Sequence, residues 1–328
     1  MLKYIVKRLI HLIPVILIIS VVLFGLLKLM PGSPERFMVQ CPEGQNPEAC
    51  EAARQDYRDR YRLDEPLVVQ YLFWAGNLLQ GDLGDSGYFN RPVTEVVGSY
   101  IVNSIYLNVV TIVFSFLIAI PIGIVSAIKR YSLFDNFWQV FSLLGISMPS
   151  FFFGILLIYL FSMQLGWFPL SGMTDPRTVH PSKDIFYWVD VLHHMILPAT
   201  VLIIQSLAGT IRYVRSAMID VISQDYIRTA RSKGLSEKVV IYSHAFRNAL
   251  IPVVTLIAFS IPALFSGATI IETIFSWPGI GRILVQSLQR RDYSLVLAMN
   301  MFYAVLALMS NLLMDLGYAI VDPRVKLN

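Results

Sequence analysis

DYIRTARSKGLS, Asp225–Ser236, is a charged island in an apolar chain. Asp225, Arg228, Arg231 and Lys233 fall within nine residues, and long runs with almost no charge lie on either side. Of the 328 residues, 55% are hydrophobic and only 15% charged; a soluble domain carries about 25% charged residues. The deficit sits in long uncharged windows, which is the pattern of membrane-spanning helices. The net charge of +4 comes without a basic tract of the kind nucleic-acid binding needs, so no nucleic-acid partner is expected.

Six windows are long enough to cross about 30 Å of hydrocarbon: residues 9–30, 100–128, 137–165, 191–216, 248–271 and 295–320. The first reads as an uncleaved anchor. Its apolar run exceeds a signal-peptide h-region, and MPGSP follows it instead of a small-residue cleavage site. Basic flanks set the orientation. Lys3, Lys7 and Arg8 precede the first window, Lys129 and Arg130 follow the second, and Arg324 and Lys326 follow the sixth. Arg212, Arg215, Arg228, Arg231, Lys233, Lys238 and Arg247 gather between windows four and five. With six spans all four regions share one side, which the positive-inside rule makes cytoplasmic. The expected fold is an all-α polytopic membrane protein with six transmembrane helices and both termini cytoplasmic. Residues 1–98 would be a membrane helix plus an extracytoplasmic segment, 99–320 a five-helix core carrying a cytoplasmic loop at 218–247, and 321–328 a cytoplasmic tail.

The extracytoplasmic segment holds Cys41 and Cys50, the only cysteines, which are expected to form a disulfide closing a small ring. PEACEAARQDYRDRYRL, Pro47–Leu63, has acids early and arginines late, as a helix dipole prefers. Asp64–Gly84 shows helical apolar spacing but is too short to span; it reads as an interfacial or packed helix with Tyr71 and Trp74 at headgroup depth. Within the windows, Pro121, Pro252 and Pro262 and several glycines predict bends and close packing. Asp315 is the one acid inside a window; its shallow depth reads as an interfacial carboxylate bonded to a neighbouring helix. An ion-coupled carrier needs titratable groups at the midplane, and none is found there. No G-x-x-x-x-G-K-[ST], H-E-x-x-H, paired-cysteine metal pattern or G-x-S-x-G occurs, so neither ATP hydrolysis, a metal site nor a membrane hydrolase is expected of this chain. His193 and His194 are adjacent, so they diverge on a helix and read as interfacial histidines.

Within the charged island, Tyr226–Lys233 is long enough for two helical turns, with Ile227, Ala230 and Arg231 near one face. Gly234 supplies the bend that a helix C-terminus prefers, and Ser236 can cap a second helix, SEKVVIYSHAFRNAL. Physics alone leaves two readings, a docking knob for a soluble partner or a basic loop obeying the positive-inside rule.

Asp225–Leu235, with Arg247-Asn248-Ala249-Leu250 and Pro252 behind it, resembles the cytoplasmic EAA loop of ABC importer permeases. Its form is similar to that of the dipeptide and oligopeptide permease B subunits in the peptide/nickel branch. Arg228 and Thr229 stand where the broader family has Glu and Ala, and Ala230 keeps the second Ala. MLKYIVKRL at the start, MPGSP, GDLGDS (Gly81–Ser86), HMILPA (His194–Ala199), ETIFSWPGIGR (Glu272–Arg282), RRDYSLV (Arg290–Val296) and DPR (Asp322–Arg324) extend the resemblance over nearly the whole chain. QCPEGQNPEACEAA, Gln40–Ala53, is the part that fits least.

The resemblance implies a type I, MetI-like permease bundle in a prokaryotic inner membrane. It implies passage of di- or oligopeptides, with nickel, another metal chelate or glutathione as the alternative cargo. Partners would be a second homologous permease, two cytoplasmic ATPase subunits carrying ATP and Mg, an extracytoplasmic peptide-binding protein, and membrane lipid. This chain itself would hold no cofactor. Asp225, Tyr226, Arg228, Thr229, Ala230, Arg231, Lys233, Gly234 and Leu235 would form the coupling helix seated in an ATPase groove. Trp277, Pro278, Gly279, Arg282, Arg290 and Arg291 would lie at the outer mouth, in a turn followed by a short helix, Ile280–Gln289. Pore-lining candidates are Asn108, Thr111, Ser115, Ser142, Ser147, Ser206 and Thr255, a weakly binding wall suited to varied peptides.

Overall fold

The computed structural model describes residues 2–29, 33–39, 46–178, 183–246, 249, 253, 256–257 and 260–321. In chain order these form helices α1 (Leu2–Lys28), α2 (Pro34–Met38), α3 (Pro47–Arg60) and α4 (Leu67–Leu79). A two-residue hairpin follows, β1 (Asp85–Ser86) antiparallel to β2 (Arg91–Pro92). Next come α5 (Val93–Ile128), α6 (Leu133–Ser147), α7 (Ser150–Leu157, continued by a π-helical turn to Gln164), α8 (Ile185–Ile222), α9 (Asp225–Ser232) and α10 (Glu237–Val239, continued by a π-helical turn to Phe246). The chain closes with α11 (Ala263–Ser266), α12 (Thr269–Ile274), α13 (Ile280–Arg290) and α14 (Tyr293–Val321).

Among the described residues, α1, α5, α8 and α14 are long and apolar enough to cross a membrane. The pair α6–α7 adds a fifth span only if its two arms count as one. Residues 137–165 are therefore not the single straight span expected from the sequence: α6 and α7 meet at 103°. The cause is Pro149. The residue before a proline is pushed out of the helical region, and Met148 is extended at φ −86°, ψ 123°, with Pro149 opening α7.

The expected fifth span, 248–271, lies largely outside the described residues, and so do Arg247, Asn248, Pro252 and Thr255. Its described end departs from a continuous helix, because Gly267 sits at φ +66° and separates α11 from α12. Cys41, Met30, Pro31, Gly32 and the residues from Asp322 lie outside too, as does the side chain of Asp315.

The chain divides into two compact units. One comprises residues to Asn103 with Gly279–Leu312; the other comprises Ser104–Pro278 with the end of α14 from Leu313. In the first unit α3 starts at Asn46, whose side chain accepts the Glu48 N–H at 3.0 Å, with Pro47 at the first helical position. Tyr71 and Trp74 of α4 pack on Phe24 of α1, each ring centroid 5.6 Å away, and the Tyr71 hydroxyl lies 2.8 Å from Ser20 Oγ. These aromatics thus seal α4 onto a span, the packed alternative of the sequence reading. A second core joins Val93 and Val96 of α5, Ile280 and Ile283 of α13, and Leu295 and Met299 of α14. In the second unit, α5 and α8 meet at Gly123, where a Cβ would fall 2.7 Å from the Val214 side chain.

Candidate functional site

The charged island folds as expected at its start. α9 covers Asp225–Ser232, and its inner face is Ile227 and Ala230, both buried. They join a cluster with Ile124 and Ala127 of α5, Val214 and Met218 of α8, and Val240, Ile241 and Ala245 after the loop. A 3.6-residue period leaves the opposite face outward. Asp225, Tyr226, Arg228, Thr229, Lys233 and Leu235 are exposed there. The Arg228 side chain is 78% exposed, so its charge is open to a partner. Ala230 faces the spans, and Arg231 leaves the inner face on which the sequence reading put it. Arg231 instead grips Glu237 with two hydrogen bonds, Nη2 to Oε1 at 2.6 Å and Nε to Oε2 at 3.1 Å. That grip holds the Glu237 carboxyl below the usual carboxylate range and raises the Arg231 guanidinium. Gly234 turns the chain between them at φ +77°, with open space around it. Ser236 occupies the N-cap position without a side-chain cap bond, so the bend rests on Gly234 and the Arg231–Glu237 pair.

Two buried groups escaped the sequence reading. Arg215, counted there only as a basic flank, makes two 2.7 Å hydrogen bonds to Asp135, which is 1% exposed. Asp135 also accepts the Tyr131 N–H at 2.9 Å, so the start of α6 is tied to the C-terminal part of α8. The other group is Glu272, fully buried on α12. Ser104 donates to its Oε1 at 2.7 Å and the Ala268 N–H at 3.1 Å. One turn along α5, the Asn108 amide donates to the Ala263 and Leu264 carbonyls at 3.0 and 3.1 Å. The carbonyls before the break at Gly267 are thus met by Asn108 of α5 and the Ala268 N–H by Glu272, which Ser104 of α5 holds, as low-dielectric surroundings demand.

A helical bundle with bent and broken spans and an outward charged helix rooted in them is now defined. Residues 119–327 match the model of the binding-protein-dependent transport system inner membrane component, and residues 1–125 match the N-terminal model of the same transport-system membrane component. The chain belongs to that family. Over 99% of its length it is 41% identical to the oligopeptide transport system permease protein AppB of Bacillus subtilis, covering all of that protein. It is 38% identical to the di/tripeptide permease DppB of Pseudomonas aeruginosa and 36% identical to the glutathione permease GsiC of Salmonella typhimurium, with 99% coverage of each chain. A solved inward-facing MetNI methionine ABC transporter has the same fold at 15% identity, with a TM-score of 0.51 over 70% of this chain and 95% of that one.

In this inner membrane component the remaining predicted residues are distributed as follows. Trp277 is fully buried against Leu107, Met173, Val191 and Met195 in the second unit, and Pro278 ends the first segment of that unit. Gly279, Arg282, Arg290 and Arg291 belong to the first unit. Arg290 lies over the Tyr88 ring at 5.2 Å, and Arg291 closes α13 in the left-handed region at φ +56°. Next to it Asp292, 2% exposed, accepts the Ser86 hydroxyl at 2.5 Å and the N–H groups of Tyr88 and Leu295 at 3.1 and 3.2 Å. It pins the hairpin to the start of α14. Of the pore candidates, Asn108 and Thr111 are buried and donate to backbone carbonyls. Ser115 and Ser142 are buried, Ser206 is half-buried and Ser147 is exposed. A cavity of about 790 Å³ in the second unit is lined instead by Val110, Phe114, Phe186, Met195 and Ile196, with Asp190 and His193. His194 is buried and pairs with Asp190 at 3.0 Å, while His193 faces the Trp167 carbonyl at 3.0 Å. Cys50 is buried on α3, and the described residues hold no free cysteine.

Proposed function

We propose that this chain is the membrane-spanning permease of an ATP-driven importer of di- or oligopeptides. It would pair with a second permease, two cytoplasmic ATPase subunits holding ATP and Mg, and an external peptide-binding protein. The single observation carrying this reading is α9, a charged and exposed helix whose apolar face is rooted between the ends of α5 and α8. A basic loop that only marked topology would need no buried Ile227 at its centre. A rooted helix acts as a lever: force on its outer face reaches the spans through Ile227 and Ala230. The large cavity's mostly apolar wall suits a passage that releases what it admits. Peptide cargo follows the relatives named for oligopeptide and di/tripeptide transport. The glutathione permease at 36% identity supports a second cargo, itself a small peptide.

The test is gentle affinity purification of the chain from its native membrane, followed by mass spectrometry of associated proteins and bound small molecules. A second permease, ATPases and a binding protein carrying peptides are expected. Arg228→Glu should release the ATPases while the chain remains inserted. A chain that purifies alone under every condition, or ATPases that remain bound to Arg228→Glu at wild-type level, would overturn the lever reading.

A further inference from the structure

The turn that joins α5 to α6, Lys129–Ser132, is fixed more firmly than a connector between two helices needs. Tyr131 stands in the left-handed region at φ +62°, where a bulky side chain crowds its own backbone. Such a conformation persists only where its surroundings over-determine it. Here they do. Asp135 accepts the Tyr131 N–H at 2.9 Å, and Ser132 Oγ accepts the Asp135 N–H at 3.2 Å. The same carboxylate is buried and held from α8 by Arg215.

This brace presents large and cationic side chains outward. Tyr131 is 71% and Leu133 89% exposed, and Lys129 and Arg130 are exposed beside them. The Arg130 guanidinium lies 4.6 Å from the Tyr131 ring centroid, so the two side chains form one raised unit. Tyrosine and arginine, with tryptophan, are the residues most enriched at the energetic centres of protein interfaces.

The turn lies at the same end of the second unit as α9. Ala127 of α5 belongs to the cluster that roots Ile227 and Ala230. Tyr131 follows it by four residues, at most about 14 Å of chain. Arg215, which holds the brace, is three residues before Met218 of the same cluster. With Arg228 and Lys233 of the α9 surface, Lys129 and Arg130 outnumber the exposed acids Asp220 and Asp225 there. A bilayer would accept the tyrosine and the cations at headgroup depth. Fluid headgroups, however, read no particular backbone shape, and a protein surface does.

We propose that Lys129–Leu133 is a second contact for the cytoplasmic ATPase, beside α9. Arg130 meets a carboxylate of that subunit, and Tyr131 and Leu133 fill an apolar depression on it. The ATPase then holds α8 twice, through the α9 root at Met218 and through the brace at Arg215. The inference rests on the reading of α9 as the ATPase-facing helix, and the experiment separates the two.

A benzophenone amino acid is placed at Tyr131, at Leu133 or, as the reference, at Tyr226 of α9, in the whole complex in its native membrane. Cross-linked proteins are identified by mass spectrometry, the ATPase by its own G-x-x-x-x-G-K-[ST] sequence. All three positions should capture the ATPase. Arg130→Glu should lower capture at Leu133 about two- to fivefold, the loss expected for one exposed ion pair, and Arg130→Lys should keep it. Capture at Tyr226 with only lipid adducts at Tyr131 and Leu133 would make the turn a headgroup anchor and overturn the second contact. Capture of the second permease in place of the ATPase at Leu133 would overturn it too. Capture by none of the three positions would overturn the α9 reading as well. Undiminished capture in Arg130→Glu would overturn the role of Arg130.

Discussion

At the residue scale the decisive contacts are polar groups that composition undercounts. Asp135 and Arg215 form a bidentate pair in which the acid is almost fully enclosed. Removing one partner of such a pair leaves an uncompensated charge and costs about 3 kcal/mol or more. Asp135→Asn is therefore expected to lower the midpoint of thermal unfolding in detergent by several degrees. The double variant Asp135→Leu with Arg215→Met should recover most of the loss, since a packed apolar pair often replaces a buried ion pair at little cost. Equal midpoints for the unaltered chain and Asp135→Asn would show that the pair contributes nothing. Arg231 and Glu237 behave differently because both are exposed. The folded carboxyl of Glu237 is depressed by its hydrogen bond to Arg231. Its contribution is thus complete above the ordinary carboxylate value of about 4.3 and is lost as pH falls through the lower folded value. Hydrogen exchange of residues 225–239 should be flat across neutral pH once intrinsic rates are removed, and faster in acid. Glu237→Gln should bring the faster exchange to neutral pH; unchanged protection in that variant would remove the pair from the account of the bend.

At the element scale, periodicity made some helices legible and could not reach others. α3 was legible from its acids early and arginines late, α4 from its apolar spacing, α9 from the two turns before Gly234, and α13 from the Trp277-Pro278-Gly279 turn before it. The α6–α7 bend was hidden because both arms are apolar, so the charge-free window runs on through Met148 and Pro149. The α11–α12 break was hidden similarly, since Gly267 reads as one more small residue until its positive φ is known. The hydroxyl and amide groups of α5 looked like a pore wall because sequence cannot say which neighbour a polar stripe faces. The structure gives Ser104 and Asn108 to the broken segment. Gly234 was legible, and its role can be isolated. A side chain there meets nothing within 4 Å, so any effect of substitution is conformational. At φ +77° a β-branched residue is strained by about 1–2 kcal/mol. Gly234→Val is expected to leave membrane insertion intact and to cut ATP-driven uptake severalfold in reconstituted vesicles. Gly123→Ala makes the opposite kind of change. Its Cβ would press on Val214, so it should lower the thermal midpoint by an amount corresponding to about 1–3 kcal/mol of overpacking. A Gly234→Val variant with unimpaired uptake would detach the bend from coupling.

At the scale of the whole molecule, membrane class and family were legible from charge-poor windows and motif order, while sidedness rests on the basic flanks alone. Helix length and hydropathy do not distinguish inside from outside; only the distribution of Lys and Arg does. The lever reading requires α9 to face the ATP-containing compartment, and a Cys41–Cys50 bridge requires the other one. Both demands can be checked on one molecule. In a chain with both native cysteines replaced by serine, Gln55→Cys should react with a membrane-impermeant maleimide added to intact cells whose outer layers admit it. Lys233→Cys should react only after the inner membrane is permeabilised. Both positions are exposed, on α3 and directly after α9, so access depends on the membrane and on docked partners. Isolated inverted vesicles stripped of peripheral subunits should reverse the pattern. In the unaltered chain, Cys41 and Cys50 should resist alkylation until a reductant is added. Labelling of Lys233→Cys from outside would invert the topology and remove α9 from reach of any cytoplasmic ATPase. Alkylation of the native cysteines without reductant would leave α3 held only by its packing and its Asn46 cap.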